Sequence, residues 1–414
     1  MTPIPIDSTR LHREIDELAL ISEQPAPVVT RVLFSEADLK GRAYVKTLFR
    51  QASLAVREDA VGNIFARWEG TDPAATAVAT GSHIDAIPNA GKYDGVVGVL
   101  GAIEAIRGLQ KAGFAPRRSI ECIVFTAEEP TRFGLGCLGS RLLGGTLSTE
   151  RISALRDRDG HDLEFWRKCA GLPPGDPVAV RLAENTYAGF VELHIEQGPI
   201  LEQRDVSIGV VEKIAAPASL RLRLTGVGGH AGAVLMPDRR DALLAGAEIA
   251  LAVEQAALTS GSIDTVGTTG VFRIEPGAVN SVPCLATLEI DLRDTQLATR
   301  DAALQKIEAA AAEICRRRQI GLHLERVNVD APAICDPALV QLVSDVCLKL
   351  GTSYIRMISR AYHDSLFMAG ICPATMIFIP CRGGVSHRPD EYSSPQQICE
   401  GVSVLAGVLS HLAG

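Results

Sequence analysis

At 414 residues the chain exceeds what one ordinary core supports, and a prior of about 150 residues per domain points to two domains. Hydrophobic residues make up 47% and charged residues 22%, with 38 Gly and 22 Pro scattered along the chain, which excludes collagen-like and low-complexity classes. The 41 Lys and Arg against 49 Asp and Glu leave a net charge of −8, without the basic surplus a phosphate backbone demands, so no nucleic-acid partner is expected.

The first residues carry no basic segment followed by an apolar stretch, and no apolar run reaches bilayer length, so neither a secretory leader nor a membrane span is expected. The ten cysteines are scattered without a Cys-x-x-Cys pair and read as reduced packing thiols of a cytoplasmic protein. From about residue 60 to 210, and again from about 330 to the end, short β-branched runs alternate with helical patterns, the signature of an α/β domain around a mostly parallel sheet. Strands are predicted at Val78–Gly81, Ile120–Thr126, Phe190–Ile195 and Ala374–Pro380, and helices at Gly95–Gly113, Asp336–Leu350 and Pro395–Leu412. Between the two stretches the pattern changes. It reads as strand Leu220–Thr225, helix Arg239–Leu258, strands Thr265–Arg273 and Leu285–Asp294, helix Arg300–Arg317 and strand Leu322–Val327. Strands that follow one another without an intervening helix fit an inserted α+β domain with an antiparallel sheet. The expected boundaries are 1–213 with 326–414 for the first domain and 214–325 for the insert, with hinge segments near Lys213–Pro217 and Val327–Ala331.

Polar motifs sit at the ends of the predicted strands of the first domain, where ligands collect in open α/β sheets. His83-Ile-Asp85 ends the first, and Asp94 follows a Pro/Gly-rich turn. Imidazole and carboxylate bind first-row metals, and a ligating His needs its other ring nitrogen held, a place Asp85 suits; a polar turn with an incidental histidine reads the same way. Glu128-Glu129 follows the second strand, and adjacent carboxylates repel unless cations or protons resolve them, as one ligand and one base would, or as a solvated loop pair would. His194 closes the third strand, and His387 follows the fourth after a glycine-rich turn. Each histidine alone reads as structural. Together, three histidines, Asp94 and a glutamate supply five ligands, enough for two divalent cations ~3.5–4 Å apart that share a carboxylate.

Gly81-Ser-His-Ile-Asp85, Asp94-Gly95, Thr126-Ala-Glu-Glu-Pro-Thr-Arg-Phe-Gly134, Glu192-Leu-His-Ile-Glu-Gln-Gly-Pro199, Gly228-Gly-His-Ala-Gly232 and Ser386-His-Arg-Pro-Asp-Glu391 occur in this order. They resemble the hydantoinase/carbamoylase amidases of the dinuclear metallopeptidase-like clan. The resemblance implies that His83, Asp94 and His194 hold one metal and that Asp94 bridges to a second held by Glu129 and His387. Glu128 is then the general base, and Asp85 supports the catalytic group. The insert becomes a lid and dimerisation domain, with His230 stabilising the oxyanion in the partner's site of a homodimer, Asn280 reaching the substrate and Arg293 clamping its carboxylate. Gln197 is expected on the ureido group. Read without the resemblance, Gly228-Gly-His230 is also a hairpin turn, Asn280 a turn residue, and Arg293 part of the solvent face of an amphipathic strand.

The family's substrates are small-molecule ureides: N-carbamoyl-L-amino acids, 3-ureidopropionate, allantoate and ureidoglycolate. Ser359-Arg-Ala-Tyr-His-Asp-Ser-Leu-Phe367 departs from the usual Gly-Ala-Gly-His-Asp of the carbamoylases through Arg360 and Tyr362. A phenol in place of a glycine hydrogen fills pocket volume and adds a donor, which favours a small, hydroxylated acid. With Gly232–Pro237, Ile379–Cys381 and Glu391–Ser394, the segment is similar to that of family members that cleave ureidoglycolate to glyoxylate, ammonia and carbon dioxide. His363 is expected in the same pocket or as a structural residue at a helix start. Aminoacylase or dipeptidase activity is the more distant alternative. Mn²⁺ is the expected metal, while Zn²⁺, Co²⁺ and Ni²⁺ suit the same donors.

Overall fold

Asp7 and Ser35 accept the backbone N–H groups of Arg10 and Asp38, and so start helices α1 (Ser8–Ala19) and α2 (Glu36–Gln51) of a computed structural model that describes residues 4–414. The chain then builds β1 (Ala55–Glu58), β2 (Ile64–Trp68), β3 (Ala77–His83), α3 (Val96–Lys111), β4 (Ile120–Phe125), α4 (Leu138–Leu143), β5 (Tyr187–Ile195) and β6 (Ile208–Ile214). Next come β7 (Ala216–Thr225), α5 (Ala242–Leu258), β8 (Val266–Glu275), β9 (Leu285–Asp294), α6 (Leu297–Arg318) and β10 (Gly321–Val329). It ends with α7 (Pro337–Leu350), β11 (Tyr354–Ser359), α8 (Asp364–Met368), β12 (Ala374–Ile379) and α9 (Pro395–Ala413).

Two compact units result: the chain up to Glu212 with Ile334–Ser359 and His363–Gly414, and Lys213–Ala333 with Arg360–Tyr362. In the first unit the sheet runs β6-β12-β5-β3-β4-β2-β1, and β11 joins it by pairing with β6. The expectation of a mostly parallel sheet needs correction. The pairs β12·β5, β5·β3 and β3·β4 are parallel, while β4·β2, β2·β1 and β12·β6 are antiparallel, so the sheet is mixed with a parallel centre. The four central strands are buried almost throughout, because helices cover both faces, and they therefore read as continuous apolar runs. On one face α3 lies so close that a Cβ at Gly98 would stand 2.4 Å from the carbonyl oxygen of Leu193. On the other, Phe65, Ala79, Phe125 and Phe190 pack with Leu143 and Met368.

The second unit is an antiparallel sheet in the order β8-β9-β7-β10. Its strands alternate, with Leu220, Leu222, Leu224, Leu288 and Ile290 buried in one cluster with Ile249 and Val253 of α5 and Leu304 and Ile307 of α6. Arg221, Glu289 and Glu325 form ion pairs on the exposed face. One apolar and one charged face is what an antiparallel sheet covered on one side requires. Among the described residues, no helix is long and apolar enough to cross a membrane.

Candidate metal centre

Parallel strands β3, β4, β5 and β12 deliver their carboxyl ends to one edge of the first unit, and the chain turns there through left-handed backbone. Ala127, Gln197 and His387, all non-glycine, have φ of 53°, 56° and 60°. Such conformations cost free energy and tend to gather at functional sites. Gly95 also has positive φ, and a side chain there would place Cβ 2.4 Å from His83 Nε2, so only glycine lets α3 begin against that imidazole.

Asp94 is the centre of the cluster. Its Oδ1 lies 3.5 Å from His83 Nε2 and 3.2 Å from His194 Nε2, while its Oδ2 lies 3.3 Å from His387 Nε2. His387 Nε2 is in turn 3.2 Å from Glu129 Oε1. Two trios of potential ligand atoms follow, His83/Asp94/His194 and Asp94/Glu129/His387, with Asp94 common to both. Glu128 stands beside them with Oε2 3.8 Å from His83 Nε2, and the Cys137 thiol donates to its Oε1 at 3.5 Å.

The ligands are oriented from behind. His83 Nδ1 is 3.0 Å from the backbone carbonyl of Asp85 and 3.6 Å from its carboxylate, and His194 Nδ1 is 2.9 Å from the carbonyl of Ile195. The Asp85 carboxylate accepts the amides of Glu128 at 3.3 Å and Glu129 at 3.0 Å. Asp85 thus holds the base-and-ligand dipeptide by its main chain, whereas its own main chain turns His83. Two buried guanidinium groups brace the same strand ends: Arg31 donates to the carbonyl of Ile84 at 2.7 Å, and Arg42 to Thr126 Oγ1 at 3.1 Å.

Burial pushes the carboxyl of Asp94 upward, but the imidazoles of His194, His387 and His83 around it win and hold it far below the usual carboxylate range. Glu128 goes the other way: burial raises it, His83 opposes, and Glu129, Asp364 and Asp94 add repulsion. Asp94 and Glu129 raise His387 to about 11. The crowding of these carboxylates calls for positive charge. His83 Nε2, on a side chain only 1% exposed, makes no hydrogen bond, as expected of a donor lone pair meant for a cation. The donor set and this orphaned atom fit divalent metal ions.

Gln197 donates its amide to Asp94 Oδ2 at 2.6 Å, and its Oε1 makes no hydrogen bond. The buried His363 ring packs 4.4 Å from that of His194, next to Glu192, which accepts from Ser82 and Ser365. In the second unit, Gly229–His230 pairs with Ser281–Val282, so the exposed His230 and Asn280 become neighbours although far apart in sequence. There Arg293 is gripped by Asp291 through Nε at 2.6 Å and Nη2 at 3.1 Å, and lies 5.3 Å above the ring of Tyr362. Sequence reasoning gave no role to Arg31, Arg42, Cys137, Glu192, Ser386 or Glu391. Of these, Glu192, Ser386 and Glu391 carried a signal, as members of the Glu192–Pro199 and Ser386–Glu391 motifs.

Residues 79–411 match the model of "Peptidase family M20/M25/M40". A ureidoglycolate hydrolase of Oryza sativa subsp. japonica is 52% identical, with 100% of this chain and 86% of that relative aligned. Crystal structures of AtUAH in complex with glyoxylate and with (S)-hydroxyglycine are 52% and 51% identical and superpose with a TM-score of 0.94, covering 100% of this chain and 99% of that one. An amidase of the hydantoinase/carbamoylase family from Burkholderia vietnamiensis is 30% identical, with a TM-score of 0.93 over 100% of this chain and 99% of that one.

Proposed function

The chain belongs to peptidase family M20/M25/M40, and within it to the hydantoinase/carbamoylase amidases, and from that premise we propose that it hydrolyses ureidoglycolate to glyoxylate, ammonia and carbon dioxide. The observation that carries the hydrolase reading is the division of the Asp94 carboxylate between two ligand trios beside Glu128. His83, Asp94 and His194 would hold one divalent cation, and Asp94, Glu129 and His387 a second, with Mn²⁺ the best match to carboxylate-rich ligation. Cations bound there supply Lewis-acid polarisation of the ureide and activate water at neutral pH.

The chain's own residues do the rest. Glu128 takes the proton of the attacking water and returns it to the departing nitrogen, while Asp85 keeps its main chain still. His230 donates to the developing oxyanion from the second unit, acting as a lid and dimerisation domain in the partner's site of a homodimer. An open sheet edge at β8 with exposed Val266 and Phe272, and the stripe Leu244, Leu251 and Leu258 on α5, support a face covered by a second copy. Arg293, pre-oriented by Asp291 and Tyr362, would clamp the substrate carboxylate, and Asn280, Gln197 and His363 are the further residues assigned to the substrate. Ten free cysteines, most of them buried, fit a reducing, cytoplasmic location.

The substrate reading draws support from relatives named ureidoglycolate hydrolase and from structures that hold glyoxylate and (S)-hydroxyglycine. The test is ammonia release by Mn²⁺-loaded protein on ureidoglycolate, allantoate, 3-ureidopropionate and N-carbamoyl-L-amino acids. Turnover of ureidoglycolate well above the others is expected, and preference for a carbamoyl amino acid would overturn the role given to Tyr362. Glu128→Gln should keep the metal and lose at least about 100-fold in kcat. An active Glu128→Gln protein removes Glu128 from the base role.

A further inference from the structure

The loops that bear Asp94 and His387 leave different strands of the first unit and meet through one side chain that is a ligand in neither trio. Glu391 is 4% exposed, and its Oε1 accepts two consecutive backbone amides from 298 and 297 residues away, Tyr93 N at 2.8 Å and Asp94 N at 3.1 Å. Its Oε2 faces Ser386 Oγ at 2.9 Å, and the same hydroxyl lies 2.7 Å from Asp94 Oδ2. Neighbouring residues are shaped around this carboxylate. A Cβ at Gly91 would stand 2.4 Å from Glu391 Cβ and 2.6 Å from its Oε1, and the Tyr93 and Tyr392 rings meet edge to face at 6.1 Å.

We propose that Glu391 is a positioning residue that assembles the Asp94/Glu129/His387 trio, by fixing the main chain of Asp94 and the Ser386 hydroxyl together. The proposal rests on the reading of the trios as cation sites. Glu391 Oε1 is taken up by the two amides and Oε2 faces the Ser386 hydroxyl, whose one proton lies between it and Asp94 Oδ2, so the residue acts by holding others. The effect is unequal between the trios. His83 and His194 belong to strands β3 and β5, where register against Phe125 of β4 and Phe378 of β12 fixes them, and neither is hydrogen-bonded to Glu391. His387 follows a glycine turn in left-handed backbone, and its neighbour Ser386 is tied to Asp94 and Glu391. Removing the carboxylate leaves two buried amides without an acceptor, and leaves the Ser386 hydroxyl on Asp94 Oδ2 to hold the His387 loop to the Asp94 loop without its second support.

The experiment is a calorimetric Mn²⁺ titration of the metal-stripped full chain, with bound metal counted by elemental analysis and folding checked by circular dichroism. Wild type, Glu391→Ala, Glu391→Gln and Ser386→Ala are compared. Wild type should bind two ions, and Glu391→Ala should keep one near wild-type affinity while the other weakens about 10–100-fold. Glu391→Gln, which retains an oxygen for the two amides, should recover most of that loss, and Ser386→Ala should weaken the same single ion. Two ions bound as in wild type by both Glu391→Ala and Ser386→Ala would overturn the proposal. Equal weakening of both ions, or a Glu391→Gln as impaired as Glu391→Ala, would overturn it too. If Glu391→Ala does not fold, the other two variants decide. A wild-type protein that binds fewer than two ions instead sinks the dinuclear reading, and this proposal with it.

Discussion

Replacing Asp85 by Asn tests whether the carboxylate serves chiefly to hold the Glu128–Glu129 main chain. In the native protein Oδ1 accepts Glu128 N at 3.3 Å and Oδ2 accepts Glu129 N at 3.0 Å, in a side chain only 2% exposed. Asn can accept one of these amides, but it must turn its NH₂ toward the other, so a buried N–H loses its acceptor and meets a second donor. A hydrogen bond to a charged group contributes ~1.5–3 kcal/mol and an unsatisfied buried donor costs ~1–3 kcal/mol, so the substitution should destabilise the first unit by about 2–4 kcal/mol. For a unit of this size that is a fall in Tm of about 4–8 °C. Glu128 and Glu129 would shift together, and a displacement near 1 Å at reacting groups lowers the rate about 100-fold. The assay is thermal unfolding of metal-stripped Asp85→Asn beside wild type, followed by kcat after Mn²⁺ loading. Loss of kcat with unchanged Tm would refute the reasoning, since it would mean the carboxylate acts on the imidazole or the substrate and carries no weight in holding the dipeptide.

Chelation should lower Tm in wild type, because the cluster of Asp94, Glu128 and Glu129 loses its counter-charge; metal at 100-fold over its Kd stabilises by about 2.7 kcal/mol, and an unchanged Tm on adding and removing Mn²⁺ would count against a resident metal. Gly98→Ala should cost about 1–3 kcal/mol, because Cβ would fall 2.4 Å from the Leu193 carbonyl oxygen, whereas Gly270→Ala, with nothing within 4 Å, should stay within about 0.5 kcal/mol; urea midpoints compare them. Arg31→Met removes the bonds to the carbonyls of Leu18, Ile21 and Ile84 and should cost about 3–5 kcal/mol by the same measurement, while a neutral result would show that the buried guanidinium is balanced by its own desolvation.

Strands β3, β4, β5 and β12 were legible in the sequence because burial on both faces leaves no alternative to a continuous apolar run. Those of the second unit were legible because one charged and one apolar face enforce period two, as the alternating burial of β9 shows. The proportion of parallel pairing was not legible, since β1, β2 and β6 flank the parallel centre and nothing in a single strand's composition states its direction. Helix α2 went unread for a different reason: it buries Asp38 and Arg42 as a pair, which in sequence looks like an exposed polar face.

Which side chains end which strands, and so which ligand chemistry gathers at the sheet's carboxyl edge, follows from residue type and local periodicity. That the two oxygens of Asp94 face different trios, and that the Asp85 carboxylate meets two backbone amides, depends on the folding together of distant segments. So does the reach of Glu391 to Tyr93 and Asp94 across nearly the whole chain. The physical reason is that local periodicity reports which face of an element is buried, whereas the meeting of one donor with one acceptor depends on strand register and loop path, which residues distant in sequence settle together.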